Sequence, residues 1–234
     1  MRPLKPVASL FIFLSAALLL WIQTRFTIPH LSQSTGHEPI FYWFLVGGLG
    51  VFLPLIILAW ILLVREEAFK SPQWWKSRLF FRKMTQEDWL WTISSIFVIG
   101  ALSAALLKGL QAVYGPVDHN PPFMHFTPPE TGQLGFLALW FPYWILNIMG
   151  EEILWRGVML SRQALAGGRQ VWLWHGAGWA VFHIAFGWKL LIIMLPILFI
   201  LPYVVQKRQN TWIGVWIHAA INGPSFIAIT MGWL

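Results

Sequence analysis

The sequence predicts an all-α, polytopic bundle of about seven transmembrane helices with its N-terminus in the cytoplasm. Three observations carry this. Hydrophobic residues make up 57% of the 234 residues and charged residues 11%, whereas soluble domains run at about 45–50% apolar and about 25% charged. Apolar runs recur at span length, and the basic residues collect between alternate runs. The whole chain, 1–234, reads as one membrane domain, with three spans in 1–113 and a chemically distinct region in 134–230.

A spanning helix needs about 20 mostly apolar residues. The first run, 7–23, follows Arg2 and Lys5 and begins like a signal peptide. Bulky Trp21, Ile22 and Gln23 provide no small-x-small cleavage site, so it is expected to remain as a span. The second, 40–64, carries Gly47, Gly48 and Gly50, which suit close helix packing. The third covers 89–113 and the fourth 134–160. The fifth and sixth, 171–187 and 189–206, are short and almost continuous through Trp188 and Lys189, as a tight hairpin or one disturbed segment. The seventh is 211–230.

Orientation follows from the basic residues. With the N-terminus inside, Arg2, Lys5, Arg65, Lys70, Lys76, Arg78, Arg82, Lys83, Arg156, Arg162, Arg169, Lys207 and Arg208 are cytoplasmic. Arg25, Lys108 and Lys189 fall outside that set. The outer connection Tyr114 to Gln133 holds five prolines and no Lys or Arg, which suits a turn-rich loop. Tryptophans near span ends (Trp21, Trp89, Trp91, Trp172, Trp174, Trp188, Trp212, Trp233) form an interfacial belt. The cytoplasmic stretch Phe69 to Met84 mixes Trp74, Trp75, Phe80 and Phe81 with five basic residues, as a leaflet-bound amphipathic segment or a plain loop.

The net charge of +7 is that of cytoplasmic loops and not of a nucleic-acid-binding face, so no nucleic-acid partner is expected. Zero cysteines exclude disulfides, thiolate metal sites and a Cys nucleophile. Carboxylates, imidazoles and hydroxyls are left to carry chemistry.

A carboxylate at the centre of a membrane helix costs roughly 2.5–3.5 kcal/mol on insertion scales, and the fourth span holds two, Glu151 and Glu152. Four-residue spacing sets Arg156 beneath Glu152 as a partner. Glu151 lies about 100° round the helix with no local counter-ion, although Asn147 shares its face one turn away. The fifth span carries His183, four residues after Trp179, and the seventh carries His218 and Asn222. At about 1.5 Å per residue, His183 lies ~18 Å, Asn222 ~16 Å, Glu151 ~16 Å and His218 ~10 Å from the cytoplasmic ends of their helices. A lone membrane His is more often a helix-packing hydrogen bonder than a ligand, and Glu152 with Arg156 alone is a structural ion pair. Glutamates, histidines and an asparagine at similar depth on three helices point instead to a functional site. His175, close to the cytoplasmic boundary, is expected to be interfacial. His30, His37, His119 and His125 fall in outer loops.

The elements Glu151-Glu152-x-x-x-Arg156, an aromatic four residues before His183, and His218-x-x-x-Asn222 resemble, in that order, the CPBP family. This family comprises the type II CAAX prenyl proteases and the bacteriocin-processing (Abi) enzymes, described as intramembrane glutamic endopeptidases. The resemblance covers about 134–230, and the second element departs from the family's usual Phe by having Trp179. It implies endopeptidase activity on a peptide or protein substrate that reaches the cell (plasma or inner) membrane. Glu151 and His183 would activate water, Arg156 would keep Glu152 ionised, and His218 and Asn222 would stabilise the oxyanion. The preferred expectation is metal-free. Glu151, His183 and His218 also make up the His2Glu set of a hydrolytic zinc or other divalent-metal site. A His-Glu-x-x-His helix and a Gly-x-Ser-x-Gly elbow are both absent. Two other classes share these residues, a non-catalytic immunity or scaffold protein and a proton-coupled transporter. Transporters usually repeat their halves, and no inverted partner of the polar half is evident.

Overall fold

In the computed structural model, which describes residues 2–66, 78–117, 121, 123, 135 and 137–231, the apolar runs form seven helical rods. They are α1 (Pro6–Thr35), α2 (Pro39–Val64), α3 (Gln86–Tyr114), α4 (137–167), α5 (Val171–Phe182), α6 (Trp188–Arg208) and α7 (Thr211–Thr230). There is no strand among the described residues. By length and composition, α1, α2, α3 and α6 can each cross a membrane. Their outer faces agree: Phe11 on α1 is 71% exposed and Phe97 on α3 is 74% exposed. Apolar surface of that kind is solvated by lipid. The chain is an integral membrane protein.

The rods run alternately between two ends. At the basic end, the Arg162 guanidinium grips Glu66 as a fork, Nε to Oε1 at 2.9 Å and Nη2 to Oε2 at 2.7 Å. The Arg2 amide donates to the same carboxylate, and the Leu4 amide donates to the Arg162 carbonyl. This clasp ties the N-terminus to the ends of α2 and α4. Nearby, Thr85 caps α3 in a reciprocal pair with Asp88 (3.1 and 3.0 Å), a capping box worth about 1 kcal/mol. Arg208 at the end of α6 pairs with Asp88 and Glu87. At the opposite end, Trp188 meets Tyr114 edge-on, and Trp43 packs against Phe123 and Phe186.

Burial raises the Glu66 carboxyl, but the Arg162 fork and its charge outweigh this and hold it below the ordinary glutamate value. A depressed folded value means that the clasp stabilises fully above about pH 4.3 and weakens as pH falls through the lower value. The wild type in detergent is therefore expected to lose thermal stability on acidification to about pH 3 more steeply than Glu66→Gln does. Parallel curves for the two would show that the clasp contributes nothing.

Lipid gives helices no hydrophobic reason to associate, so close packing has to hold the bundle. Gly150 on α4 is one such contact: a Cβ there would sit 2.7 Å from the Phe52 carbonyl oxygen of α2. The expected role of Gly47 and Gly48 is milder, with Gly48 in ordinary contact with Leu146 and Tyr143. The core is aromatic, with Trp43, Trp155, Trp179, Tyr143, Phe13 and Phe52 all almost fully buried.

Of the two alternatives for the fifth and sixth runs the hairpin is met, and other expectations change. Between α5 and α6 the chain forms a hairpin through a short 3-10 turn (His183–Phe186) and Gly187, whose φ of 87° favours glycine. His175 is not interfacial but wholly buried, its Nδ1 2.7 Å from Gln163 Oε1, because α5 turns that face inwards against Phe13. Of the proposed amphipathic stretch, 69–77 lies outside the described residues. The remainder is docked on protein, with Leu79 buried against Gly157 and its carbonyl accepting from Thr211 Oγ1 at 2.5 Å. Most of the outer loop, His119, His125 and Trp233 also lie outside the described residues. Trp89, Trp174 and Trp188 are exposed near helix ends, as a belt requires, whereas Trp21, also exposed, lies midway along α1 because that rod continues to Thr35.

Candidate functional site

The two glutamates sit where α4 changes its winding. Leu137–Glu151 is α-helical and Glu152–Leu160 is π-helical, a wider turn that is often found at functional sites. Both carboxylates are buried, at 1% and 0% exposure. They belong to two connected clusters.

Glu152 Oε1 lies 2.9 Å from Arg156 Nη1 and 2.8 Å from His218 Nδ1. The Arg156 guanidinium also lies 3.5 Å from the centroid of the Trp179 ring, a cation–π contact that strengthens when desolvated. Gly214 lets α7 close onto this pair, because a Cβ at 214 would collide with Glu152 Oε2. Since Glu152 accepts at Nδ1, that nitrogen carries the proton and a neutral His218 presents Nε2 as an acceptor. Asn222 Nδ2 stands 3.4 Å from it.

Glu151 is held differently. Oε1 accepts from Asn147 Nδ2 at 3.0 Å and Oε2 accepts from Trp179 Nε1 at 2.6 Å. Asn147 Oδ1 accepts in turn from Asn222 Nδ2 at 2.6 Å. Amide donors thus run in one direction, from α7 to α4 and on to the carboxylate. His183 Nδ1 lies 2.9 Å from the Trp179 carbonyl. A carbonyl only accepts, so Nδ1 carries the proton and Nε2 keeps a free lone pair. That nitrogen is 3.9 Å from Glu151 Oε2. The gap exceeds a hydrogen bond but suits two acceptors sharing one water, each receiving one of its protons.

The gap faces a cavity of about 200 Å³ bordered by Asn147, Glu151, Trp179, His183, His218 and Asn222. All six residues named from sequence are therefore in one place. Glu151, His183, His218 and Asn222 border the cavity, while Glu152 and Arg156 stand behind it. The zinc expectation fits less well. Among the described residues no three His, Asp or Glu side chains converge as metal ligands, since His218 is turned by its Nδ1 onto Glu152. No step is therefore derived through a metal.

Sequence reasoning noticed Asn147 but missed two residues. Trp179 stood only as an aromatic of the second element, yet its indole N–H is the donor nearest the Glu151 carboxylate. Gly214 gave no signal, being one glycine in an apolar run. Trp179→Phe keeps a ring over Arg156 and deletes that donor. It is expected to cost about 1–3 kcal/mol in detergent unfolding, the cost of leaving a buried acceptor unmatched. An unchanged unfolding midpoint would show that the contact carries no weight.

Residues 133–223 match the family model described as Type II CAAX prenyl endopeptidase Rce1-like. The matched segment covers less than half of the chain but spans Glu151 through Asn222, and it agrees with the resemblance read from the residues. No curated protein and no solved structure gives a significant match.

Proposed function

We propose, from the Rce1-like pattern of residues 133–223 and the geometry around Glu151, that the chain is an intramembrane endopeptidase that cleaves peptide bonds with a Glu/His-activated water. The membership of that segment supports a protease at the coarse level. The observation that carries the mechanism is the 3.9 Å gap between Glu151 Oε2 and His183 Nε2, open to a cavity. A network that only held helices together would close that gap with a direct bond.

In this reading one water donates a proton to each of the two acceptors, and a lone pair on its oxygen points into the cavity. The oxygen attacks the scissile carbonyl while a proton passes to Glu151. The tetrahedral oxyanion is met by the Asn222 amide, which swings from Asn147 as charge develops, and by His218 in its doubly protonated form, whose Nε2–H donates while Glu152 offsets the charge at Nδ1. Collapse breaks the C–N bond, and Glu151 returns its proton to the leaving amine. Glu152 and Arg156 position His218, and Asn147 and Trp179 hold Glu151. No metal is required. The rest of the proposal is seven spans with a cytoplasmic N-terminus in the cell membrane, residues 134–230 as the catalytic core, and a peptide or protein substrate.

The test is cleavage of a broad peptide library by purified protein in detergent, comparing wild type, Glu151→Gln and chelator-treated wild type. Specific cleavage that survives chelation and is lost in the variant is the expected result. Loss on chelation would replace the metal-free mechanism, and no cleavage by wild type would favour the scaffold or transporter class.

A further inference from the structure

A second cavity, of about 620 Å³, runs as a groove between α1 and α5 and has no part in the proposed chemistry. Val7, Leu10 and Phe13 line it from α1, and Val171, Trp174 and Val181 line it from α5. Val7, Leu10 and Trp174 are exposed, so the groove opens outwards, whereas Phe13 is buried and forms its floor. Gly178 makes room for that floor, because a Cβ there would collide with the Phe13 ring.

The length of the groove restricts what fills it. From Pro6 to Phe13 and from Val171 to Val181 the two helices advance about 11 Å and about 15 Å. Beyond Phe13, Ala16 and Ala17 are buried and the groove is at an end. One leaflet supplies half of a hydrocarbon core about 30 Å thick, so the groove is about one leaflet deep. A helix of a second copy would need a seam across the whole core, whereas an acyl chain needs half of it.

Charge restricts the occupant further. The described lining carries no ionisable residue, but the basic end of the groove is flanked by two. Lys5 stands between the lining residues Leu4 and Pro6, and Arg169 between Gly167 and Val171. Both are exposed, and neither is in an ion pair among the described residues. Glu66, the carboxylate tied to this corner through the Arg2 amide, is already paired with Arg162 and Arg78. Lipid tails are as apolar as the walls, so selectivity falls to the charged end. Two cations at the mouth of an apolar groove match an anionic headgroup on an acyl chain.

We infer that this groove is a lipid site holding one acyl chain of an anionic phospholipid, with the headgroup phosphate paired with Lys5 and Arg169. The chain covers Phe13, which stacks on Trp155 at 4.7 Å, so the bound lipid backs the aromatic core where α1 meets α4 and α5. The site is independent of the peptidase reading and is tested without turnover.

Binding is measured on the purified full chain in detergent by native mass spectrometry, with phosphatidylglycerol or phosphatidylcholine added. Wild type is expected to retain one phosphatidylglycerol per chain and to prefer it over phosphatidylcholine. Lys5→Gln with Arg169→Gln is expected to weaken that retention about 10- to 30-fold, the share of two basic groups near a headgroup. Ala177→Phe fills the groove from its exposed wall and is expected to abolish retention with both cations in place. Equal retention of the two lipids by wild type, or unchanged phosphatidylglycerol retention in both variants, would overturn the proposal. So would a wild-type dimer that Ala177→Phe dissolves, which assigns the groove to a second copy.

Discussion

Glu151→Gln is expected to lower turnover by about 10²- to 10⁴-fold, the usual share of a positioned general base, with KM little changed. The variant is not electrostatically silent in the ground state. Glu151 accepts at both oxygens, from Asn147 and from Trp179, whereas a glutamine amide accepts at only one. Its NH2 must face either the Trp179 indole or the Asn147 amide, and Asn147 cannot turn over freely because its oxygen already accepts from Asn222. One hydrogen bond is lost in either orientation, at about 1–3 kcal/mol. Thermal unfolding of the same preparation separates the two effects: a midpoint lowered by a few degrees with turnover lost a hundredfold or more assigns the base. Turnover within a few-fold of wild type would remove Glu151 from the chemistry.

Arg156→Met is expected to destabilise the protein by about 3–5 kcal/mol, since it strands a charge that is fully buried beside it. Glu152 has His218 as its other neighbour, and Trp179 loses the cation over its ring. Glu152→Gln combined with Arg156→Met removes both charges and is expected to recover a large part of the loss, because a buried pair often contributes little net stability over neutral groups. Denaturant unfolding in detergent of the two single variants and the double variant measures the coupling. A single-variant cost below about 1 kcal/mol, or a double variant no more stable than Arg156→Met, would contradict a desolvated pair.

The sequence revealed the parts of this arrangement whose free-energy cost leaves a compositional trace. The apolar runs coincide with seven helical rods among the described residues, four of them long and apolar enough to cross a membrane, and a second carboxylate beside Glu151 stood out because lipid makes it expensive. Spacing by four foretold the Glu152–Arg156 pair and the Asn147–Glu151 hydrogen bond, since both are local to one helix. Contacts between helices left no such trace. Trp179 looked like any other tryptophan of an aromatic-rich membrane protein, and only its position on α5 opposite Glu151 makes its N–H a donor to that carboxylate. His175 was misread for a related reason: distance along a helix gives depth but not which neighbour covers the face. The cavity depends on six helices at once and could not be read from any one of them.

The hairpin at Gly187 bears on how the protein is made. With twelve α-helical residues and a four-residue 3-10 turn, the descending arm reaches about 26 Å, short of a hydrocarbon core of about 30 Å. It is poorly suited to being threaded through the bilayer alone, and its partner α6 supplies the missing length and apolarity. The two arms are then expected to insert together, as a helical hairpin. His183 lies in that pair and His218 follows it in the chain, so nascent protein holds its glutamates for some time without either imidazole. A hydrolase assembled in this order stays chemically idle until biogenesis is complete.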